Sequence, residues 1–78
     1  MAVTAYVLIT TVNKEAQHVL DNLRLPQIVR EAYAVTGPYD IIATVAAEDM
    51  AALGALITQQ IQGIEGIERT LSCIVLQM

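Results

Sequence analysis

The sequence predicts an α+β domain of order βαββαβ, with two helices on one face of a four-stranded antiparallel sheet. Three observations carry this. Four apolar, largely β-branched segments are interrupted twice by segments whose apolar residues recur at helical spacing. A Gly-Pro turn joins the two middle strands with no room for a helix between them. The chain has 78 residues, enough for one domain and no more.

Val3 to Val12 is rich in β-branched residues and reads as the first strand. Both of its alternating faces are largely apolar, so both are expected to be covered. Asn13 is a good N-cap for a helix from Lys14 to about Arg24. Ala16, Val19, Leu20 and Leu23 form its buried stripe, and Lys14, Glu15, Gln17, His18, Asp21 and Asn22 its solvated side. Pro26 ends the element. Ile28 to Thr36 reads as the second strand, Gly37-Pro38-Tyr39-Asp40 as a turn, and Ile41 to Ala47 as the third strand, apolar on both faces.

Glu48 or Asp49 starts a second helix, where acidic charge meets the positive end of the helix dipole. Met50, Leu53, Ile57 and Ile61 form its expected core stripe. Its outer side, with Ala51, Ala52, Ala55, Thr58, Gln59 and Gln62, is small and uncharged, which suits another subunit or simply a strong helix former. Gly63 stops the helix and Ile67 to Leu76 is the fourth strand. The sum is a ferredoxin-like sandwich with one sheet face free of helices. The apolar character of that face argues for sheet-to-sheet dimerisation.

Composition narrows the function. The chain is 55% hydrophobic and 15% charged, too apolar for a disordered segment or a lone monomer. A domain this small buries only about 60% of its unfolded surface. One cysteine allows no internal disulfide, and no cluster has metal-ligand spacing, so oligomerisation is the expected staple. Cys73 lies in an apolar run, as a buried, reduced thiol of a cytoplasmic protein would. Net charge is -4, and Lys14, Arg24, Arg30 and Arg69 are scattered. Neither nucleic acid nor an anionic membrane surface suits such a chain. The apolar start lacks a basic region and a cleavage site, and no run spans a bilayer.

The most informative motif is Val35-Thr36-Gly37-Pro38-Tyr39-Asp40-Ile41. It reads either as a tight turn with Asp40 on local amides, or as a small-molecule cradle. In the second reading, turn N–H groups hold a carboxylate and Asp40 accepts from an ammonium, a pair suited to a zwitterion. Thr70 and Ser72 share one strand face, either as a polar strand edge or as two hydroxyls lining a subunit interface. His18, with Glu15 and Asn22 beside it on the helix, is a poor metal set and reads as solvated. Cys73 has no neighbouring base. Gly63-Ile64-Glu65-Gly66 has the spacing of the KH-domain loop but carries Glu65 where phosphate would need a cation. RNA-recognition domains share the strand order, yet Ile41 to Ala47 has no aromatic to stack a base.

Tyr33-Ala34-Val35-Thr36-Gly37-Pro38-Tyr39-Asp40-Ile41, followed by Ile64-Glu65-Gly66-Ile67-Glu68-Arg69-Thr70, resembles the effector-binding (RAM) domain of the Lrp/AsnC regulators across essentially the whole chain. The resemblance implies a domain that dimerises sheet against sheet as a dimeric α+β barrel and assembles into rings, typically octamers. It implies an amino-acid effector bound between dimers, with no cofactor. The family's effector positions map onto Gly37, Asp40 and, beside them, Tyr39; Thr70 and Ser72 map onto hydroxyl positions of the last strand, contributed by a neighbour.

Family members of full length carry an N-terminal helix-turn-helix; residues 1–78 read as the effector domain alone, without a DNA reader. Two routes to transcription stay open: mixed assembly with a full-length paralogue, or sensing alone. A ligand-free adaptor that co-assembles with such a regulator is the alternative. An enzyme of the dimeric α+β barrel type lacks a base or electron-rich aromatic in this chain, and the expectation is no catalysis. ACT domains, which also bind amino acids, have a glycine-rich loop where Thr11-Val12-Asn13 stands here.

Overall fold

A computed structural model describes residues 2–12, 15–24 and 29–76. The elements are β1 (Val3–Thr11), α1 (Ala16–Arg24), β2 (Glu31–Ala34), β3 (Ile41–Ala47), α2 (Met50–Ala55, continued by a π turn over Leu56–Ile61) and β4 (Ile67–Ile74). The sheet order is β2-β3-β1-β4, antiparallel throughout. The predicted βαββαβ sandwich is therefore the observed fold. The expected Asn13 cap, Lys14, Pro26 and Ile28 lie outside the described residues.

Alternation sorts the strands into two faces. Ala5, Val7 and Ile9 of β1, Ala32 of β2, and Ile41, Ala43 and Val45 of β3 are buried beneath the helices. Val19, Leu20 and Leu23 of α1 meet them from above, with Leu53, Ile57 and Ile61 of the second helix. Thr4, Tyr6, Leu8 and Thr10 point to the other face. There Tyr33, Ile42, Leu8 and Leu71 stand in one row across all four strands. Tyr6 and Leu71 are about half exposed on that helix-free face.

The second helix departs from the regular helix expected. Asp49 caps it, its Oδ1 accepting from Ala52 N–H at 2.8 Å. Leu53, Ile57 and Ile61 are spaced by four, which in an α-helix drifts about 40° per step. The π turn, closed by the Gln62 N–H donating to Ile57 O at 3.0 Å, takes in an extra residue and returns Ile61 to the buried stripe. Met50, expected in that stripe, is 56% exposed, because it precedes the turn that docks on the sheet. The outer residues Ala51, Ala52, Ala55, Thr58, Gln59 and Gln62 are exposed, as expected.

The two edge strands differ. β2 is four residues long, shorter than the Ile28 to Thr36 expected. Arg30 N–H donates to Thr44 O one residue out of register, and Val35 N–H closes the hairpin on Asp40 O. Arg24 Nη2 reaches from the last turn of α1 to donate to Ala32 O at 2.9 Å, which covers an outward carbonyl of this edge. β4 is eight residues long, and Ser72, Cys73 and Ile74 are exposed. Cys73, expected to be buried, stands opposite Tyr6 on the helix-free face instead.

On β2, Tyr33 Oη–H donates to Glu31 Oε2 at 2.9 Å. This bond, and then the Glu31 charge, raise the phenol above its ordinary value of 10.0. The neutral phenol is thus favoured by the fold. Its contribution is complete below pH 10 and is lost as pH rises through the raised value. Glu31→Gln is expected to move the Tyr33 component of an ultraviolet absorbance titration to lower pH.

Candidate functional site

The β2–β3 hairpin tip is built by backbone. Gly37 has φ +117°, a left-handed conformation that side chains rarely adopt, although a Cβ there would meet nothing within 4 Å. Asp40 lies immediately before β3, half buried. Its N–H donates to Ile9 O at 2.9 Å. Its Oδ2 accepts from Thr11 N–H at 2.8 Å and from Thr11 Oγ1–H at 3.2 Å.

The cause lies across the sheet. β1 runs on past its last partner in β3, Ile41 opposite Ile9, so the Thr11 N–H, on the same side of β1 as the Ile9 carbonyl, faces the residues just before β3 and has no ladder partner there. Asp40 supplies the acceptor that this amide would otherwise lack. On the other side of β1, β4 takes in an extra residue, Glu68, opposite Thr10 and Thr11, a bulge. Beyond the bulge, Val12 N–H donates to Gly66 O at 2.9 Å. Asp40 is thus a clamp between neighbouring strands, not the local turn partner expected. No signal within the hairpin identifies Thr11, which is 29 residues away.

Asp40→Ala is expected to lower stability by about 1–3 kcal/mol, because a partly buried amide loses its acceptor. Asp40→Asn keeps a carbonyl oxygen and should lose less. Urea unfolding of the two variants measures the difference.

Thr70 and Ser72 share one face of β4, as their spacing requires. Thr70 stands opposite Ile9 and Ser72 opposite Val7, so both point to the helix side of the sheet. β4 lies beyond the span of the helices, and Ser72 remains exposed there while Thr70 is half buried. Gln62 Nε2, just past the π turn, donates to Thr70 Oγ1 at 3.1 Å. Gln62, Ile67, Glu68, Arg69 and Thr70 line an open groove at this corner.

Ala34, Ile41, Ile9 and Thr70 form one transverse row, so the hairpin and Thr70 sit at the same end of the sheet. One strand, β1, lies between the hairpin and β4. Among the described residues, no hydrogen bond joins Gly37, Tyr39 or Asp40 to Thr70 or Ser72. Within one chain the candidate residues make two half-sites. His18 is exposed, and Asn22 Nδ2–H donates to His18 O at 2.8 Å. Among the described residues, no helix is long and apolar enough to cross a membrane.

Comparison with known proteins agrees with this architecture. The model of the Lrp/AsnC ligand-binding domain matches residues 4–78. No curated protein matches the chain. Among solved structures, the Thermus thermophilus protein TTHA0845 is 36% identical with a TM-score of 0.88, covering 97% of this chain and 95% of its own. AsnC of E. coli is 32% identical with a TM-score of 0.90, over 97% of this chain; the match spans only 52% of AsnC. A transcriptional regulator from Neisseria meningitidis, solved in complex with L-Met, shares the fold at 21% identity with a TM-score of 0.83, over 96% of this chain and 50% of its own. With the ferredoxin-like sandwich, the hairpin motif and a family match over nearly its whole length, the chain belongs to the family of Lrp/AsnC ligand-binding domains.

Proposed function

We propose that this chain is an amino-acid-binding regulatory module, whose effector lies where the Gly37–Asp40 hairpin of one subunit approaches Thr70 and Ser72 of a neighbour. The observation that carries this reading is the uncovered helix side of β4. Ser72 is exposed there and Thr70, bonded by Gln62, is half buried, so two hydroxyls border open space on a stretch of β4 that no helix covers among the described residues. The hairpin lies at the same end of the sheet and needs a second chain to meet them.

Self-association would use the helix-free sheet face, where Tyr33, Ile42, Leu8 and Leu71 form a continuous apolar row. Rings of such dimers, octamers among them, would create the clefts. Ligand would then bias assembly through its higher affinity for the assembled state. The L-Met bound to the Neisseria regulator suggests an amino acid as effector. Transcription would be affected indirectly, through a full-length paralogue in mixed assemblies in the cytoplasm, with residues 1–78 acting as one effector-binding domain without catalysis.

Native mass spectrometry with and without the twenty amino acids tests this. A ring of dimers that carries an amino-acid mass, lost in Thr70→Val, is the expected result. A dimer indifferent to every amino acid would sink it.

One observation favours a ligand-free adaptor. Asp40 Oδ2 already accepts two bonds from Thr11, and Thr70 Oγ1 already accepts from Gln62. Capture of a full-length Lrp/AsnC regulator by the ligand-free chain, unchanged by amino acids, would select that reading.

A further inference from the structure

We propose a second small-molecule site, on the outer edge of β2, that takes a zwitterion through its carboxylate and its ammonium. The groove there is lined by Arg24, Val29, Arg30, Glu31, Ala32 and Tyr33, with a volume of about 300 Å³. This lies at the lower end of the range of small-molecule sites.

Charge is the reason to single it out. The chain has four cationic side chains in 78 residues, and two of them line this one groove. Arg24 donates one N–H to Ala32 O at 2.9 Å. A guanidinium has five donors, so the bond to Ala32 fixes the fork without exhausting it. That bond holds Arg24 across the strand edge, where its charge acts on the Tyr33 phenol. Arg30 adds a second guanidinium two residues before buried Ala32, which floors the groove. Two guanidinium groups suit a carboxylate, which they bind by charge-assisted bonds.

The third charge decides the ligand class. Glu31 lies in the same groove, and its Oε2 accepts from Tyr33 Oη–H at 2.9 Å. That bond orients the carboxylate and leaves Oε1 to accept from a ligand ammonium. A plain anion would meet repulsion from Glu31, and a plain cation would meet two arginines. A molecule carrying both charges a few bonds apart satisfies both sides. Val29, half buried, offers an apolar wall for a short side chain.

The site is separate from the cleft proposed above. Its charged residues, Arg24, Arg30 and Glu31, lie before and at the start of β2, at the end of that strand away from the Gly37–Asp40 hairpin, and β4 is the opposite edge of the sheet, three strand spacings or about 14 Å off. This proposal does not depend on the cleft, and Thr70→Val separates the two, since it removes binding in the cleft and leaves binding on β2.

The test uses the whole chain, in whatever assembly it forms, with glycine, acetate and methylammonium as three probes. Amide NMR shifts locate binding and calorimetry measures it. Glycine is expected to move the amides of Val29 to Tyr33 saturably, with acetate weaker and methylammonium without effect. Arg30→Gln and Glu31→Gln are each expected to weaken glycine roughly tenfold, the loss of one charge-assisted bond. Thr70→Val should leave these shifts unchanged. Circular dichroism of the variants establishes that they fold, and neither residue lies in the core. Acetate binding as well as glycine would remove Glu31 from the site and overturn the proposal. So would shifts confined to the hairpin and β4, or no saturable shift at all.

Discussion

Gly66→Ala is expected to destabilise the fold by about 2–4 kcal/mol, read as a lower urea midpoint with little change in slope. Two effects combine. Gly66 has φ +102°, where a side chain strains the backbone. A Cβ there would also stand 3.0 Å from Val19 Cγ2 and 3.1 Å from Glu15 Cβ. Val19 is wholly buried and cannot yield without disturbing α1. Gly66 O also accepts from Val12 N–H, so a shift at this residue would reach the end of β1. Gly37→Ala makes a useful contrast, since φ is +117° but no atom lies within 4 Å of the new Cβ. It should show the backbone strain alone.

Ile9→Ala is expected to remove about 3–5 kcal/mol. Ile9 is fully buried at the centre of the sheet, between Ile41 on β3 and Thr70 on β4. The loss combines transfer of the missing methyl groups with the cavity left behind. A domain of this size has a total stability of about 4–12 kcal/mol. The variant should therefore lose a large share of its stability, read as a lower urea midpoint that assembly or ligand would raise again. Met50→Ala is the control. Its side chain is 56% exposed, and its loss should stay within about 0.5 kcal/mol.

Met50 also marks where sequence reading stops. Strand β3 and the buried residues of α1 follow from local pattern, because burial on one face imposes the period directly. The sandwich follows from the order of the elements. Met50 fits the helical period as well as Leu53 does, but the docking of the first turn depends on where the helix meets the sheet. Cys73 is similar. An apolar run says that a strand wants cover, while the strand's place at the sheet edge decides whether the same chain supplies it. The π turn was hidden because spacing by four is common to α and π geometry.

For the candidate site, spacing correctly placed Thr70 and Ser72 on one face. The partners of Asp40 and Thr70 were out of reach: Thr11 depends on β1 running past the start of β3, and Gln62 on the extra residue of the π turn. Such pairings arise from long-range register, which no local window contains.

The central position of β1 has a consequence for how the chain reaches this structure. Of the four strands, the first in the chain bonds on one side to β3 and on the other to β4, the last of the four. Ala5 waits for Ile74, almost the whole length of the chain away. Closing so long a loop before any reward arrives makes folding slow for a domain of this size. Until β4 has been made, β1 can offer one of its two hydrogen-bonding edges only to solvent, a chaperone or another nascent chain.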